Sequence, residues 1–304
     1  MIETEPRKDY RTYLDPETVS RLSRLDLIAR LVVEGFITGL HRSPYHGFSA
    51  EFSEYRACMP GDAIRHIDWK VLARTERYYI KRFEEETNLR TMLLLDCSDS
   101  MDFTSGAVTK LDYARYLAAA LSHLMLRQRD AVGLVPFSDR IREMIPPRSI
   151  PGSLTRLLGS LHRLEAGGQT NAGDVFHQLA ERISRRSLIV ILSDLLDDEE
   201  KIISSLKHLR HRGHEVILFH ILDPAERTLD YRTGTLFIDR ETGDRIRTNP
   251  WHIREEYAEK VRNYISRLRN ECGNQRIDYM QVDTNMTFDR ALIRYLTGRK
   301  KRGG

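Results

Sequence analysis

The sequence predicts an α/β protein: a doubly wound, mainly parallel sheet carrying an N-terminal α+β extension and a small β-hairpin insertion. Three observations carry this reading. From residue 90 onward, short apolar runs alternate with long stretches of helical periodicity, the rhythm of βαβ crossovers covering both faces of a sheet. Two of the apolar runs, Leu93-Leu94-Leu95-Asp96 and Leu188-Ile189-Val190-Ile191-Leu192-Ser193-Asp194, stop abruptly at an aspartate, which reads as a buried parallel strand entering a loop. The 304 residues are 40% apolar and 30% charged, the balance of a globular chain with room for one large domain and a smaller segment.

Taken in order, residues 1–16 are polar. One helix is expected from about Pro16 to Glu34, because Leu22, Leu25, Ile28, Ala29, Val32 and Val33 recur at helical spacing. Asp15 is its expected N-cap, with proline at the first helical position. Gly39 to Ala50 reads as a loop, and Glu51–Arg56 as a short strand by alternation. Pro60-Gly61-Asp62 marks a turn, and Ile64 to Ala73 a turn and a short helix. Asp62, Arg65, Asp68 and Trp69 read as an ion-pair and packing cluster with Trp69 as anchor. Arg74, Arg77, Lys81 and Arg82 read as solvated charge. Tyr78 to Glu84 is extended.

The regular part then predicts strands at about Thr91–Asp96, Ala131–Phe137, Ser187–Ser193, Glu215–Leu222 and Asp278–Val282. Helices are expected at about Thr109–Gln128, Pro151–Leu164, Ala172–Arg185, Glu199–Arg212, Trp251–Glu271 and Phe288–Leu296. A hairpin, about 235–247, interrupts the rhythm with Gly243 in its turn. The expected organisation is an extension over 1–90 packed on the core, an α/β domain over 91–297, and a solvated basic tail over 298–304.

Composition excludes several classes. With 48 basic and 44 acidic residues the net charge is +4, too balanced to argue nucleic-acid binding. The first twenty residues carry no apolar core, so no signal peptide is expected. No apolar run approaches the ~20 residues of a membrane span. Cys58, Cys97 and Cys272 are odd in number and form no CxxC pair, which fits structural thiols in a reducing cytoplasm rather than disulfides or zinc. His41, His46, His66, His162 and His177 lack metal-ligand spacing. No GxxxxGK[ST] occurs, so no nucleotide site is expected.

What remains is a set of oxygens. Asp96, Ser98 and Ser100 alternate at a strand end; Gly167-Gly168-Gln169-Thr170-Asn171 puts a threonine in a turn before a helix; Asp194 ends a second strand. If the two strands are parallel neighbours, Asp96 and Asp194 emerge at one sheet edge, where α/β proteins bind ligands. Hydroxyls and carboxylates suit a hard cation, Mg²⁺ with Mn²⁺ or Ca²⁺ as alternatives. Three neutral hydroxyls and two carboxylates leave such an ion open to an acidic side chain from a partner. The bland reading is capping: Thr170 would cap the following helix, and Asp197 and Asp198 the next one.

These five residues resemble the metal-ion-dependent adhesion site of von Willebrand factor A domains. Upstream, Tyr55-Arg56, Pro60-Gly61-Asp62, Arg65-His66-Ile67-Asp68-Trp69-Lys70, Ala73-Arg74-Thr75 and Phe83-Glu84-Glu85-Glu86 resemble the bacterial DUF58 proteins, strongly over roughly residues 23–224. The resemblance implies a von Willebrand factor A-like, Rossmann-type fold and a non-enzymatic interaction module. It also implies partnership with a MoxR-type AAA+ ATPase, or with a client protein offering Asp or Glu. The alternative is a Mg²⁺-dependent phosphohydrolase with Asp96 as nucleophile. A haloacid-dehalogenase-type enzyme, however, wants a second acid where Ser98 stands.

Overall fold

In the computed structural model the described residues are 13–41, 55–57, 79–81, 89–231, 234–238 and 243–300. Asp15 caps the first helix as the sequence predicts: its carboxylate accepts from the Thr18 N–H at 2.9 Å, and Pro16 opens the helix. The expected single helix is, however, two: α1 (Pro16–Ser20) and α2 (Leu25–His41). The Ser20 hydroxyl donates to the Glu17 carbonyl at 2.7 Å, the local bonding by which serine competes with helix propagation. Apolar spacing runs unbroken across the gap through Val19, Leu22 and Leu25, so periodicity alone reads one helix.

Strands β1 (Tyr55–Ala57) and β2 (Tyr79–Lys81) pair antiparallel. The expected turn at 60–62, the helix at 64–73 and the Asp62, Arg65, Asp68 and Trp69 cluster lie outside the described residues, as does Cys58.

The main sheet starts at β3 (Arg90–Asp96), followed by α3 (Lys110–Arg127), β4 (Ala131–Phe137), β5 (Ile145–Arg148), α4 (Ser153–His162), α5 (Ala172–Arg182), β6 (Leu188–Ser193), α6 (Glu199–His211), β7 (Glu215–Leu222) and α7 (Pro224–Thr228). The hairpin is β8 (Thr235–Ile238) and β9 (Arg245–Thr248); α8 (Pro250–Asn274), β10 (Asp278–Asp283) and α9 (Phe288–Lys300) complete the chain. The sheet order is β10-β7-β6-β3-β4-β5. All pairs are parallel except β4 with β5. Counted from β3 this is the doubly wound order, whose switch point falls between β3 and β6. The α/β class and mainly parallel sheet are therefore as expected.

The strand β5 is not foreseen by the sequence reading. Its Ile-Pro-Pro-Arg text lacks alternation, but proline is tolerated on an edge strand, and β5 is an edge. Gly133 makes room for it: a Cβ there would meet the Ile145 carbonyl oxygen at 2.5 Å.

Alternation along β3 feeds two cores. Leu93 and Leu95 join one with residues of α2, α3, α4 and α9; Met92 and Leu94 join the other with residues of α5, α6 and α8. Helix α3 is buried on nearly every side, since it lies between the sheet and α2, as an all-round apolar helix must. No described helix is long and apolar enough to cross a membrane.

Candidate metal centre at the carboxyl edge of the sheet

Parallel register decides where the polar strand ends meet. Leu95 is level with Leu192 across β3 and β6. Asp96 therefore falls beside Ser193, and Asp194 is the first residue past its strand. Beyond Asp96 the chain curls into a 3-10 turn over Asp99–Asp102, with the Met101 N–H bonded to the Ser98 carbonyl at 3.1 Å. That curl turns Ser100 back toward Asp194.

The result is a connected set of oxygens. One oxygen of Asp96, Oδ1, accepts from the Ser98 N–H at 3.0 Å and the Ser98 hydroxyl at 2.8 Å. Its Oδ2 accepts from the Ser193 hydroxyl at 2.5 Å. Ser98 Oγ and Ser100 Oγ are 3.0 Å apart, and Ser100 Oγ donates to Asp194 Oδ2 at 2.8 Å. Asp96, Ser98 and Asp194 are fully buried; Ser100 is the half-buried member facing out.

Thr170 reaches this edge on its loop. The Gly167 N–H donates to the Cys97 carbonyl at 2.9 Å, and the Asp99 N–H to the Gly168 carbonyl at 2.9 Å. Gly168 has φ +80, a left-handed turn that glycine adopts without strain. The N-cap of α5 is Asn171, not Thr170, so the capping explanation for Thr170 falls away. Asp198 does cap α6, accepting from the N–H groups of Glu200 and Lys201 at 2.9 and 3.0 Å.

Four groups that frame the site are missing from the sequence reading. Lys110 is fully buried and donates to Asp194 Oδ2 at 2.8 Å and to Glu226 Oε1 at 2.6 Å. Its signal was present: Lys110 falls on the stripe with Ala114, Leu117 and Leu121, where only a paired lysine is tolerated. Arg142 gathers three carbonyls, those of Cys97 at 3.0 Å, Glu165 at 2.7 Å and Gly167, and so ties the Thr170 loop to the Asp96 loop. His220, on β7, meets the Asp194 carbonyl through Nε2 at 2.9 Å and the Tyr279 hydroxyl through Nδ1 at 2.8 Å. Ser193 is the fourth. Nothing in the local sequence around Arg142 or His220 announces these long-range partners.

Electrostatics separate the two aspartates. Burial, reinforced by the negative charge of Asp194, pushes Asp96 up to about 7. Burial also opposes ionisation of Asp194, but Lys110 outweighs it and holds that carboxyl below the usual range. The lysine is itself driven up: desolvation is overcome by Asp194 and Glu226. His220 is pushed down to about 4, chiefly by burial, so it is neutral. Burial raises the Cys97 and Cys272 thiols to about 12; both are free and buried, as structural thiols should be.

The donor set suits a small hard cation. The successive oxygens lie 2.8, 3.0 and 2.8 Å apart, within hydrogen-bonding distance of one another, and hydroxyl and carboxylate oxygens are the donors that a hard cation takes. Among the described residues no group of three or more His, Cys, Asp or Glu could hold a metal; the cluster here has two carboxylates, and its other side-chain oxygens are hydroxyls. Asp96, Ser98, Ser100, Asp194 and the Thr170 loop are thus brought together at one edge. Lys110 already occupies one side of Asp194.

Comparison with known proteins adds the family. The uncharacterized protein Rv1480 of Mycobacterium tuberculosis (strain ATCC 25618 / H37Rv) is 25% identical over 297 residues, covering 94% of this chain and 91% of its own. The uncharacterized protein Mb1516 of Mycobacterium bovis matches equally. Among solved structures, the conserved hypothetical protein BatB from Bacteroides thetaiotaomicron is 20% identical with a TM-score of 0.47, over 70% of this chain and 99% of its own. The SpRpn10 VWA domain is 15% identical with a TM-score of 0.39, over 67% and 93%. The strand order, not these likenesses, carries the fold. The model of one family, "Protein of unknown function DUF58", matches residues 54–266, more than half of the 304, and the chain belongs to that family.

Proposed function

We propose that the protein is a non-enzymatic interaction module that binds an acidic side chain of a partner through a hard divalent cation. The cation is Mg²⁺, with Mn²⁺ or Ca²⁺ as alternatives, held by Asp96, Ser98, Ser100, Thr170 and Asp194. The observation that carries this is the convergence of two strand-end carboxylates and two serine hydroxyls in one connected cluster at the switch point of the sheet. When bound, the ion supplies a Lewis-acidic position that a partner carboxylate completes. Asp96 supplies the charge that changes with binding, the serines supply neutral oxygens, and Lys110 keeps Asp194 ionised and in place beforehand. The family resemblance supplies the partner class: a MoxR-type AAA+ ATPase or a client that it remodels, in the cytoplasm.

The alternative, a phosphohydrolase with Asp96 as nucleophile, has less support. Both Asp96 oxygens accept short hydrogen bonds and the side chain is fully buried, whereas an attacking carboxylate must reach its substrate.

Capture of partners from cell extract tests the proposal, comparing wild type, wild type with chelator, and the Ser98→Ala/Asp194→Ala variant. The expected result is an AAA+ ATPase or a client retained by the wild type and lost in the other two. Identical partners in all three would refute the metal site as the recognition device. Phosphatase turnover abolished by Asp96→Asn would replace it with the enzyme.

A further inference from the structure

The two edges of the sheet are treated differently. At one end β5 carries Pro146 and Pro147 and a register shift against β4. Proline and bulges blunt an edge against further strands. At the other end β10 carries no proline and, among the described residues, pairs only with β7. Tyr279, Met280, Gln281 and Asp283 of this strand line a cleft of about 590 Å³.

The lining of this cleft locates it. Tyr279 belongs to the core shared with α8, while Met280 packs against the core shared with α9, and both line the cleft. Residues from opposite faces of one strand border a single cleft only if the cleft runs along the strand's open edge. Arginines flank that edge from both layers: Arg269 from α8, Arg290 and Arg294 from α9, and Arg227 from α7. Arg290 and Arg294 are one helical turn apart, with the exposed Ile293 between them.

These arginines are only partly neutralised. Arg227 meets Asp283 at 3.1 Å and Arg294 meets Asp278 at 3.5 Å. Arg269 lies over the Tyr279 ring at 5.7 Å. Arg290 has no ion pair among the described residues. Among the described residues, the buried Nε–H groups of Arg227 and Arg294 have no hydrogen-bond partner. Among the described residues, four guanidinium groups meet two carboxylates here, which leaves a positive rim along the edge strand.

We infer that the open edge of β10, with the arginines that flank it, is a docking groove for an extended acidic peptide segment of a partner protein. The segment adds as a strand to β10, its backbone pairing with the free edge. Its Asp and Glu side chains meet the arginines on either side, where bidentate pairing favours carboxylates. The groove is separate from the cation site, and its occupancy does not depend on metal.

The test uses the full-length chain, a fluorescent short poly-glutamate peptide and fluorescence anisotropy at low salt, together with hydrogen exchange. Expected are binding weakened about tenfold or more by the Arg290→Glu/Arg294→Glu variant, slowed exchange of the amides of 278–283, and no change with chelator. Far-ultraviolet circular dichroism checks that the variant is folded, and Arg290→Glu alone, at the exposed position, repeats the test without disturbing the half-buried Arg294. Absence of binding, or binding indifferent to the variant, overturns the inference and leaves the arginines as guards of an edge. Binding without protection of β10 overturns strand addition. Tighter, equally arginine-dependent binding of an oligothymidylate of matched charge would make the surface a nucleic-acid site instead. Loss of binding on chelation would place the peptide at the cation site and overturn the inference too.

Discussion

Asp96 and Asp194 end neighbouring strands, are both fully buried and both accept serine hydroxyls, yet they differ in charge. Asp96 has only neutral donors, Ser98 and Ser193, and burial pushes it to about 7. Asp194 has the Lys110 ammonium at 2.8 Å and stays ionised despite burial. Equal burial raises a similar desolvation cost, and the charge of the partner decides the outcome. One side of the cluster is therefore an ion pair, while the other is a carboxyl held by neutral hydroxyls alone. Each test below either breaks that asymmetry or sharpens it.

The largest effect should come from Lys110→Met. It leaves Asp194 buried beside Asp96 without a countercharge, and Glu226 loses its partner as well. Removing one member of a buried pair costs about 3–5 kcal/mol. Urea denaturation in chelator should show that loss, and Mg²⁺ should restore part of it by taking over the neutralising role. A variant as stable as wild type in chelator would mean the ammonium is not what fixes Asp194.

A smaller contrast comes from two isosteric changes. Asp194→Asn leaves Lys110 with Glu226 alone and should cost about 2 kcal/mol or more in the metal-free protein. Asp96→Asn imitates the protonated acid that burial favours below about pH 7, and at about pH 5 should cost about 1 kcal/mol or less. Both should abolish Mg²⁺ binding by calorimetry. If the stability losses fall in the reverse order, the assignment of charge to the two aspartates is inverted.

The asymmetry was only half legible in the sequence. The strand limits were, because buried parallel strands are written as continuous apolar runs: Ala131–Phe137 and Glu215–Leu222 come out as expected. The Asp96, Ser98, Ser100 spacing and the aspartate closing β6 were legible too, as local features of strand ends. Lys110 needed a different signal, a charge on an apolar helical stripe, and its partners lie 84 and 116 residues away. Arg142 and His220 act on backbone carbonyls, which every residue type supplies, so no pattern of side chains marks them. The break at residues 21–24 was hidden because packing on α3 keeps the same apolar phase on both sides of it.

The finest test of the asymmetry is its pH dependence. Asp96 has its folded value at about 7, above the ordinary ~3.9 of an unfolded aspartate. Between these limits the folded, metal-free protein keeps a proton that the unfolded chain has released. The contribution of this group to metal-free stability is therefore full below about pH 4 and is lost as pH rises through about 7. Ion binding runs the other way, because a ligand carboxylate must be deprotonated. Below about pH 7 each Mg²⁺ bound should expel one proton from Asp96, so affinity should rise about tenfold per pH unit and level off above. Calorimetric titrations in buffers of different ionisation enthalpy would count that proton. Asp194 contributes no slope in this range, since Lys110 keeps it ionised throughout. A flat affinity profile from pH 5 to 7 would mean that Asp96 is also ionised before the ion arrives, which its all-neutral set of donors gives no reason to expect.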